Sequence, residues 1–228
     1  MHFEILVEDQ SGKKMIETLL PKIIDRNRHT VRVIAYKGIG HIPKDMSAGG
    51  DAGKRILLQN LPRLLRGYGK TFPDYPEDCP AAIILICDLD NKCLKAFRKE
   101  LDAILASCNP KPETRFCIAI EEGEAWLLGD IPAIKTAYPK AKEAVLNHYE
   151  NDSICGTWER LADAVFPGGS SALLGKGPLA IGAEKSKWAE KITPHMSETD
   201  NKSPSFAYFR SKILELADIK TKTRGGLQ

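Results

Sequence analysis

Apolar positions along the chain fall into two alternating rhythms. Residues 3–7 form a short apolar run that stops at Glu8, and Asp9, Gln10, Ser11 and Gly12 follow as turn formers, which predicts a strand and then a loop. Met15, Ile16, Leu19, Leu20, Ile23 and Ile24 then recur at helical spacing, giving a helix with one apolar face. Residues 31–36 are rich in β-branched side chains and predict a second strand. A loop with Lys37, Gly38, Gly40, His41 and Pro43 comes next, then a helix marked by Ile56, Leu57, Leu61, Leu64 and Leu65, with Pro62 as a kink point. The proline-rich stretch 68–80 reads as an irregular connector.

Residues 81–87 are apolar without alternation, the pattern of a strand at the centre of a sheet covered on both faces. Leu94, Phe97, Leu101, Ile104 and Leu105 predict the next helix, and residues 115–120 a fourth strand. Strand and helix alternate throughout, so the expectation is an α/β fold: a Rossmann-like three-layer sandwich around a mainly parallel sheet. Beyond Glu121 the pattern turns helical, over 125–128, 131–138, 141–149, 158–165, 186–192 and 206–216. Gly168, Gly169, Gly175 and Gly177 predict a mobile loop between two of these helices. The division expected is a core over 1–130, a helical C-terminal elaboration over 131–219 packed on it, and a flexible polar tail over 220–228. Trp126, Trp158, Trp188 and Phe206 are the aromatic anchors expected to join the elaboration to the sheet.

Composition narrows this picture little. With 228 residues, 43% hydrophobic and 28% charged, the chain has the make-up of a soluble globular protein with one main core. Its longest apolar stretch is far short of the ~20 residues of a membrane helix, and no basic segment followed by an apolar leader core is read at the N-terminus. A cytoplasmic location with no membrane partner is expected. Six cysteines without a C-x-x-C pair predict reduced, mostly buried thiols. A net charge of +3 does not by itself argue for nucleic acid.

The chemistry lies at the strand ends. In an open parallel sheet, ligands gather where the carboxyl ends of strands bring several loops together. Three of the four predicted strands end in carboxylates: the first at Glu8, the central one at Asp88-Leu89-Asp90, the fourth at Glu121-Glu122-Gly123-Glu124. Residues two apart in extended chain point the same way, so Asp88 and Asp90 are expected to chelate one ion. Clustered carboxylates repel unless neutralised, and a hard divalent cation with oxygen ligands neutralises them. Mg²⁺ or Mn²⁺ is expected over zinc, because no His or Cys pair sits beside these strands at ligand spacing. The bland alternative is that such acids are solvated or cap the next helix, as Glu124 at the head of Glu-Ala-Trp-Leu-Leu would. Among Glu121, Glu122 and Glu124 the sequence does not choose.

Leu6-Val7-Glu8 and Asp88-Leu89-Asp90 resemble the motifs of the TOPRIM domain of topoisomerases, primases and overcoming-lysogenization-defect (OLD) nucleases. More narrowly, the chain looks like an uncharacterised bacterial family of TOPRIM-like proteins, through three blocks: Glu121-Glu122-Gly123-Glu124-Ala125-Trp126-Leu127-Leu128-Gly129-Asp130, Lys187-Trp188-Ala189-Glu190-Lys191-Ile192-Thr193-Pro194-His195-Met196, and Asn201-Lys202-Ser203-Pro204-Ser205-Phe206. The TOPRIM resemblance implies Glu8 as general acid/base and Asp88 with Asp90 as Mg²⁺ ligands. One departure is that Asp9 follows Glu8 directly, where TOPRIM domains commonly have Gly soon after. Resemblance to the OLD nucleases also implies a separately encoded ATPase partner and a role in defence against phage or mobile elements.

Other motifs fit less well. A haloacid-dehalogenase-like phosphatase carries its D-x-D on the first strand with Thr or Val two residues on, where this chain has Lys92. A glycosyltransferase D-x-D stays open on spacing. The run from Gly168 to Gly177 lacks phosphate-loop spacing and its Ser/Thr ligand. Lys13, Lys14, Lys37, Lys54 and Arg55 fall near the predicted active edge, and Lys176, Lys185, Lys187, Lys202 and Arg210 in the C-terminal part. Most are ordinary surface charges. Lys185 is the one singled out as a cation for a transition state, and His195 as a candidate proton carrier.

The leading expectation is a metal-dependent nuclease acting on DNA or RNA. Glu8, Asp88, Asp90 and Glu122 would hold the metal, with Glu121, Glu124 and Lys185 beside them. A non-catalytic binding or assembly module, and primase-like nucleotidyl transfer, are the alternatives.

Overall fold

The structure, a computed structural model, describes residues 1–43 and 54–224, with side chains as far as 218. Four strands, β1 (His2–Val7), β2 (Thr30–Ala35), β3 (Ala81–Asp88) and β4 (Thr114–Ala119), form one sheet in the order β2-β1-β3-β4, with every pair parallel. Period-two alternation assigns each strand residue to one face. Phe3, Ile5, Val7, Ala82, Ile84, Ile86, Cys117 and Ala119 join one apolar core, while Leu6, Ile83, Leu85, Cys87, Phe116 and Ile118 join the other. The non-alternating apolar run of β3 is therefore the signature of a strand buried on both faces, as the sequence predicts.

Helices supply the outer layers. On one face lie α2 (Leu57–Thr71) and α3 (Leu94–Ala106), whose Leu57, Leu58, Leu61, Leu65, Phe97, Leu101 and Ile104 share the second core. On the other lies α1 (Gln10–Ile23), joined by α4 (Glu124–Leu128), α5 (Ile131–Ala137), α6 (Glu143–Asn147), α7 (Thr157–Val165), α8 (Gly169–Leu174), α9 (Pro178–Ile192) and α10 (Pro204–Arg224). The fold is α/β with a three-layer, Rossmann-like arrangement. The C-terminal helices share one continuous core with β1, β3 and α1, through Trp126, Trp188, Phe206 and Phe209. Trp126 stacks on Phe209 at 5.1 Å and donates its indole N–H to Ser205 Oγ at 2.9 Å, so its polar edge is satisfied inside the core.

Some expectations are corrected. The glycine-rich stretch after 168 holds a helix, α8, because Asp163 Oδ1 accepts the Ser170 N–H at 2.7 Å and Leu173 is buried beneath it. Helix α9 starts at Pro178, eight residues before the apolar spacing becomes legible, because its first two turns are largely exposed. The connector over 68–80 begins inside α2, which runs to Thr71 and passes into a 3₁₀ turn at Phe72–Asp74. Of the six thiols, all free, Cys93 and Cys155 are exposed and Cys79 half-buried, so only half are buried. Of the tail expected over 220–228, residues 225–228 lie outside the described residues. Among the described residues no helix is long and apolar enough to cross a membrane.

Chain order fixes where a site can form. From β1 the chain crosses to β2 on one side, and β3 then returns to the other side of β1. The connections thus diverge between β1 and β3, leaving a crevice at the carboxyl ends of these two strands.

Candidate active site at the β1/β3 crevice

Glu8 follows the last residue of β1, and Asp88 is the last residue of β3. Parallel register sets Val7 level with Ile86, which brings the two acids together over the crevice. Glu8 Oε2 lies 3.4 Å from the backbone N–H of Asp88, which donates to it. The cleft above them encloses about 430 Å³, part of it open to solvent, with Met15, Trp126, Gly123, Glu124 and Lys185 among its walls.

Asp9 sits beside this pair without adding to it. Its Oδ1 accepts the Gly12 N–H at 2.8 Å and its carboxylate takes the Ser11 hydroxyl, so it caps α1. The residue after Glu8 thus starts the helix.

The predicted D-x-D chelate does not form as an extended pair. The strand stops at Asp88, and Asp90 has a left-handed backbone at φ 50°. Its carboxylate turns to Lys92 Nζ at 2.8 Å, in an ion pair exposed enough to be easily broken. The alternation argument fails here because it holds only while the chain remains extended.

The three glutamates after β4 take three different roles. Glu121, with φ 61°, sends its carboxylate away from the crevice to the N-terminus of α7, accepting the N–H groups of Cys155 (3.2 Å), Gly156 (2.9 Å) and Thr157 (2.8 Å). It is a helix cap supplied from a distant part of the chain. Glu124 is buried, 3% exposed, and meets Lys185 Nζ at 2.9 Å through Oε2, in a close ion contact without the angle of a hydrogen bond. Glu122 lies between these two: Oε2 is 3.6 Å from Lys185 Nζ and accepts the Thr157 hydroxyl at 3.4 Å.

Electrostatics of the crevice follow from burial and repulsion. Burial is the main reason the Glu8 carboxyl is pushed up to about 7; the Asp88 N–H pulls it down, and Asp90 and Asp9 push it further up. Asp88 is held well above the usual carboxylate range, first by burial and then by Glu8, with Lys185 opposing. Glu122 is pushed up to about 7 by burial, against the pull of Lys185, with Glu124, Glu159 and Glu121 adding repulsion. For Lys185, burial alone would lower the ammonium; Glu124, Glu122 and Asp88 outweigh it and hold the group above its ordinary value. Lys185 is therefore a charged, half-buried cation among carboxylates. Glu159, on the first turn of α7, is an acid that sequence reasoning does not pick out. Its position in a helical first turn has an ordinary electrostatic explanation, and nothing local marks it.

The donor set suits a hard cation better than any other metal. Glu8 and Asp88 offer carboxylate oxygens at the mouth of the crevice, and among the described residues its walls hold no imidazole and one sulfur, the buried Cys87 thiol. Among the described residues no group of three or more His, Cys, Asp or Glu side chains is drawn close enough to enclose a metal ion. Glu8 and Asp88 are the carboxylates that would hold a Mg²⁺ ion, an ion commonly bound by one or two carboxylates with waters and substrate phosphates. His195 lies on the surface, at the end of a 3₁₀ turn.

Residues 7–214 match the family described as Domain of unknown function (DUF4276), and the chain belongs to that family. The match spans Glu8, Asp88, Glu122, Glu124 and Lys185. Comparisons with curated proteins and with solved structures give no match.

Proposed function

We propose that this protein is a metal-dependent phosphodiesterase acting on nucleic acid, with a hard divalent cation, Mg²⁺ or Mn²⁺, held by Glu8 and Asp88. The observation that carries the reading is that Glu8 meets the backbone of Asp88 at the β1/β3 switch point, in a cleft that the half-buried Lys185 also lines. A cation bound there would polarise a phosphoryl oxygen and acidify a water.

The chain's own groups complete the chemistry. Glu8, beside the mouth of the crevice and hydrogen-bonded to the Asp88 N–H, is positioned to hold the attacking water or accept its proton. Lys185 is fixed by Glu124 and Glu122, so its charge already stands in the cleft and needs no reorganisation to meet the negative charge of a pentacovalent phosphate. Asp90 joins the cation's ligands only by leaving Lys92, an exchange between two exposed partners. Glu121 has a structural role as the cap of α7. The TOPRIM-like motifs Leu6-Val7-Glu8 and Asp88-Leu89-Asp90 support the same reading.

The test is incubation of the purified protein with plasmid, single-stranded DNA and tRNA in 5–10 mM Mg²⁺ or Mn²⁺, roughly the range that saturates weak carboxylate sites. New ends that require the cation and vanish in Asp88→Asn and Glu8→Gln are the expected result. Cleavage that survives Asp88→Ala removes the proposed site. Nucleotide incorporation in place of cleavage moves the assignment to nucleotidyl transfer.

A further inference from the structure

An open groove lies on the β2 side of the sheet. It measures about 340 Å³, part of it open to solvent, between the edge strand and α2, lined by Ile34, Tyr36, Arg55, Asn60, Arg63 and Leu64. We propose that Arg55 and Arg63 form a phosphate-binding subsite in this groove, outside the Glu8/Asp88 crevice.

Both guanidiniums are positioned by buried acceptors. Arg55 Nη2 donates to the Ala35 carbonyl, at the end of β2, at 2.7 Å. Arg63 Nη2 donates to Asn60 Oδ1 at 3.3 Å, and Asn60, itself 3% exposed, is oriented by its own Nδ2 donating to the Ile56 carbonyl at 2.7 Å. A guanidinium carries five N–H donors in a fixed fork, and each of these hydrogen bonds uses only one of them. Among the described residues the others have no further partner and are open to a ligand. Among the described residues neither arginine is paired with a carboxylate, whereas Arg32 nearby faces Glu4 at 3.6 Å. Both side chains are exposed, and with no carboxylate partner among the described residues they offer two like charges that an oxyanion can meet together. The groove wall is Tyr36, buried except for 8% of its surface, whose phenol is raised first by burial while Arg55 draws it down.

Position ties this subsite to the crevice. Arg55 O accepts the Lys37 N–H at 2.9 Å, and Gly38 N–H donates to Glu8 O at 3.1 Å, so the loop that carries Arg55 is stitched to the backbone of Glu8. β2 neighbours β1; the groove lies on the α2 face and the crevice is walled by α1, α4 and α9 on the other, so a strand engaging both crosses the carboxyl edge of the sheet. Resting on the phosphodiesterase reading, the phosphate is assigned to a nucleotide flanking the scissile bond on the β2 side. Guanidiniums recognise phosphate oxygens without reading the base, so such a contact sets register and not sequence.

The test is binding of the full chain in EDTA to a fluorescent single-stranded oligonucleotide, followed by anisotropy between 50 and 200 mM salt, roughly the range over which counterion release is resolved. Arg55→Gln/Arg63→Gln is expected to weaken binding about tenfold at the low-salt end and to reduce the slope of log K against log salt by about 0.7 for each phosphate no longer neutralised. Arg55→Lys/Arg63→Lys keeps the charge and loses the fork, and is expected to fall between. Inorganic phosphate and a nucleoside monophosphate, titrated separately, distinguish a free phosphate from a polymer. If the variants lose phosphate or mononucleotide binding but bind the oligonucleotide normally, the subsite stands and its assignment to the nucleic-acid strand is overturned. If near-UV circular dichroism is native and neither binding changes in the Gln or Lys variants, the subsite itself is overturned. A wild-type protein that binds phosphate through these arginines but cleaves nothing overturns the phosphodiesterase reading alone.

Discussion

Replacing Lys185 with methionine tests the electrostatics of the crevice most severely. The ammonium lies 2.9 Å from Glu124 and 3.6 Å from Glu122, with side chains 16%, 4% and 23% exposed respectively. In an effective dielectric of about 20 these two contacts are worth roughly 6 and 5 kcal/mol before desolvation. Most of that is offset by taking the charges out of water, and removing one partner of a buried pair costs about 3–5 kcal/mol. The lower end applies here, because Glu122 can escape by protonating: its carboxyl already stands near 7.

The pH dependence follows from the signs. Glu122 has a folded-state pKa raised above its ordinary value of 4.5, so its favourable contribution is present below about 4.5 and is lost as the pH climbs through about 7. Lys185, raised in the folded state, contributes fully throughout this range and would be lost only at alkaline pH. Without Lys185, Glu122 loses the attraction that holds its carboxyl down, so the variant is penalised most at pH 8 and least near pH 5. Urea unfolding followed by the fluorescence of the buried Trp126 and Trp188 gives the free energies directly. A loss of about 3 kcal/mol at pH 8, shrinking by about half at pH 5.5, is expected. Adding Glu124→Gln should recover part of the loss at pH 8, on the order of 1 kcal/mol, by removing a stranded buried charge. A Lys185→Met variant within about 1 kcal/mol of wild type at pH 8, or one whose loss ignores pH, refutes the reasoning.

Other consequences are simpler to measure. Glu121→Gln keeps the shape of the α7 cap and removes its charge, so thermal unfolding should show a loss of about 1 kcal/mol, with cation-dependent cleavage retained. Trp126→Phe removes the bond to Ser205 and leaves a void in the shared core, for a loss of about 2–3 kcal/mol in the same assay. In cation-free buffer, stability should fall between pH 5 and pH 8 as Glu8 and Glu122 ionise through about 7, and Mg²⁺ should restore it at pH 8 more than at pH 5. Differential scanning calorimetry of wild type and Asp88→Asn separates the cation's share, since the variant should respond weakly to Mg²⁺.

The sheet is the most legible part of the chain, because strand periodicity is a local property. The unbroken apolar run of β3 and the helix stripe from Met15 to Ile23 are readable without knowing what they touch. The site is legible as a set of candidates and not as an arrangement. Whether Asp90 chelates depends on where β3 stops, and that is decided by the left-handed turn at Asp90 and the bond to Lys92. The choice among Glu121, Glu122 and Glu124 depends on partners far along the chain: the Cys155–Thr157 amides for Glu121, and Lys185 for the other two. Helix α8 is hidden because six residues between glycines carry too little periodicity, and its cap, Asp163, belongs to the preceding helix.

Diffraction from crystals soaked in Mn²⁺ at neutral pH, with anomalous maps, tests the central assignment directly. An ion bound by both Glu8 and Asp88, with metal–oxygen distances of about 2.2 Å and Lys185 lining the same cleft, is the predicted result. An ion bound elsewhere, or a saturating soak that leaves Glu8 and Asp88 bridged by nothing, contradicts it.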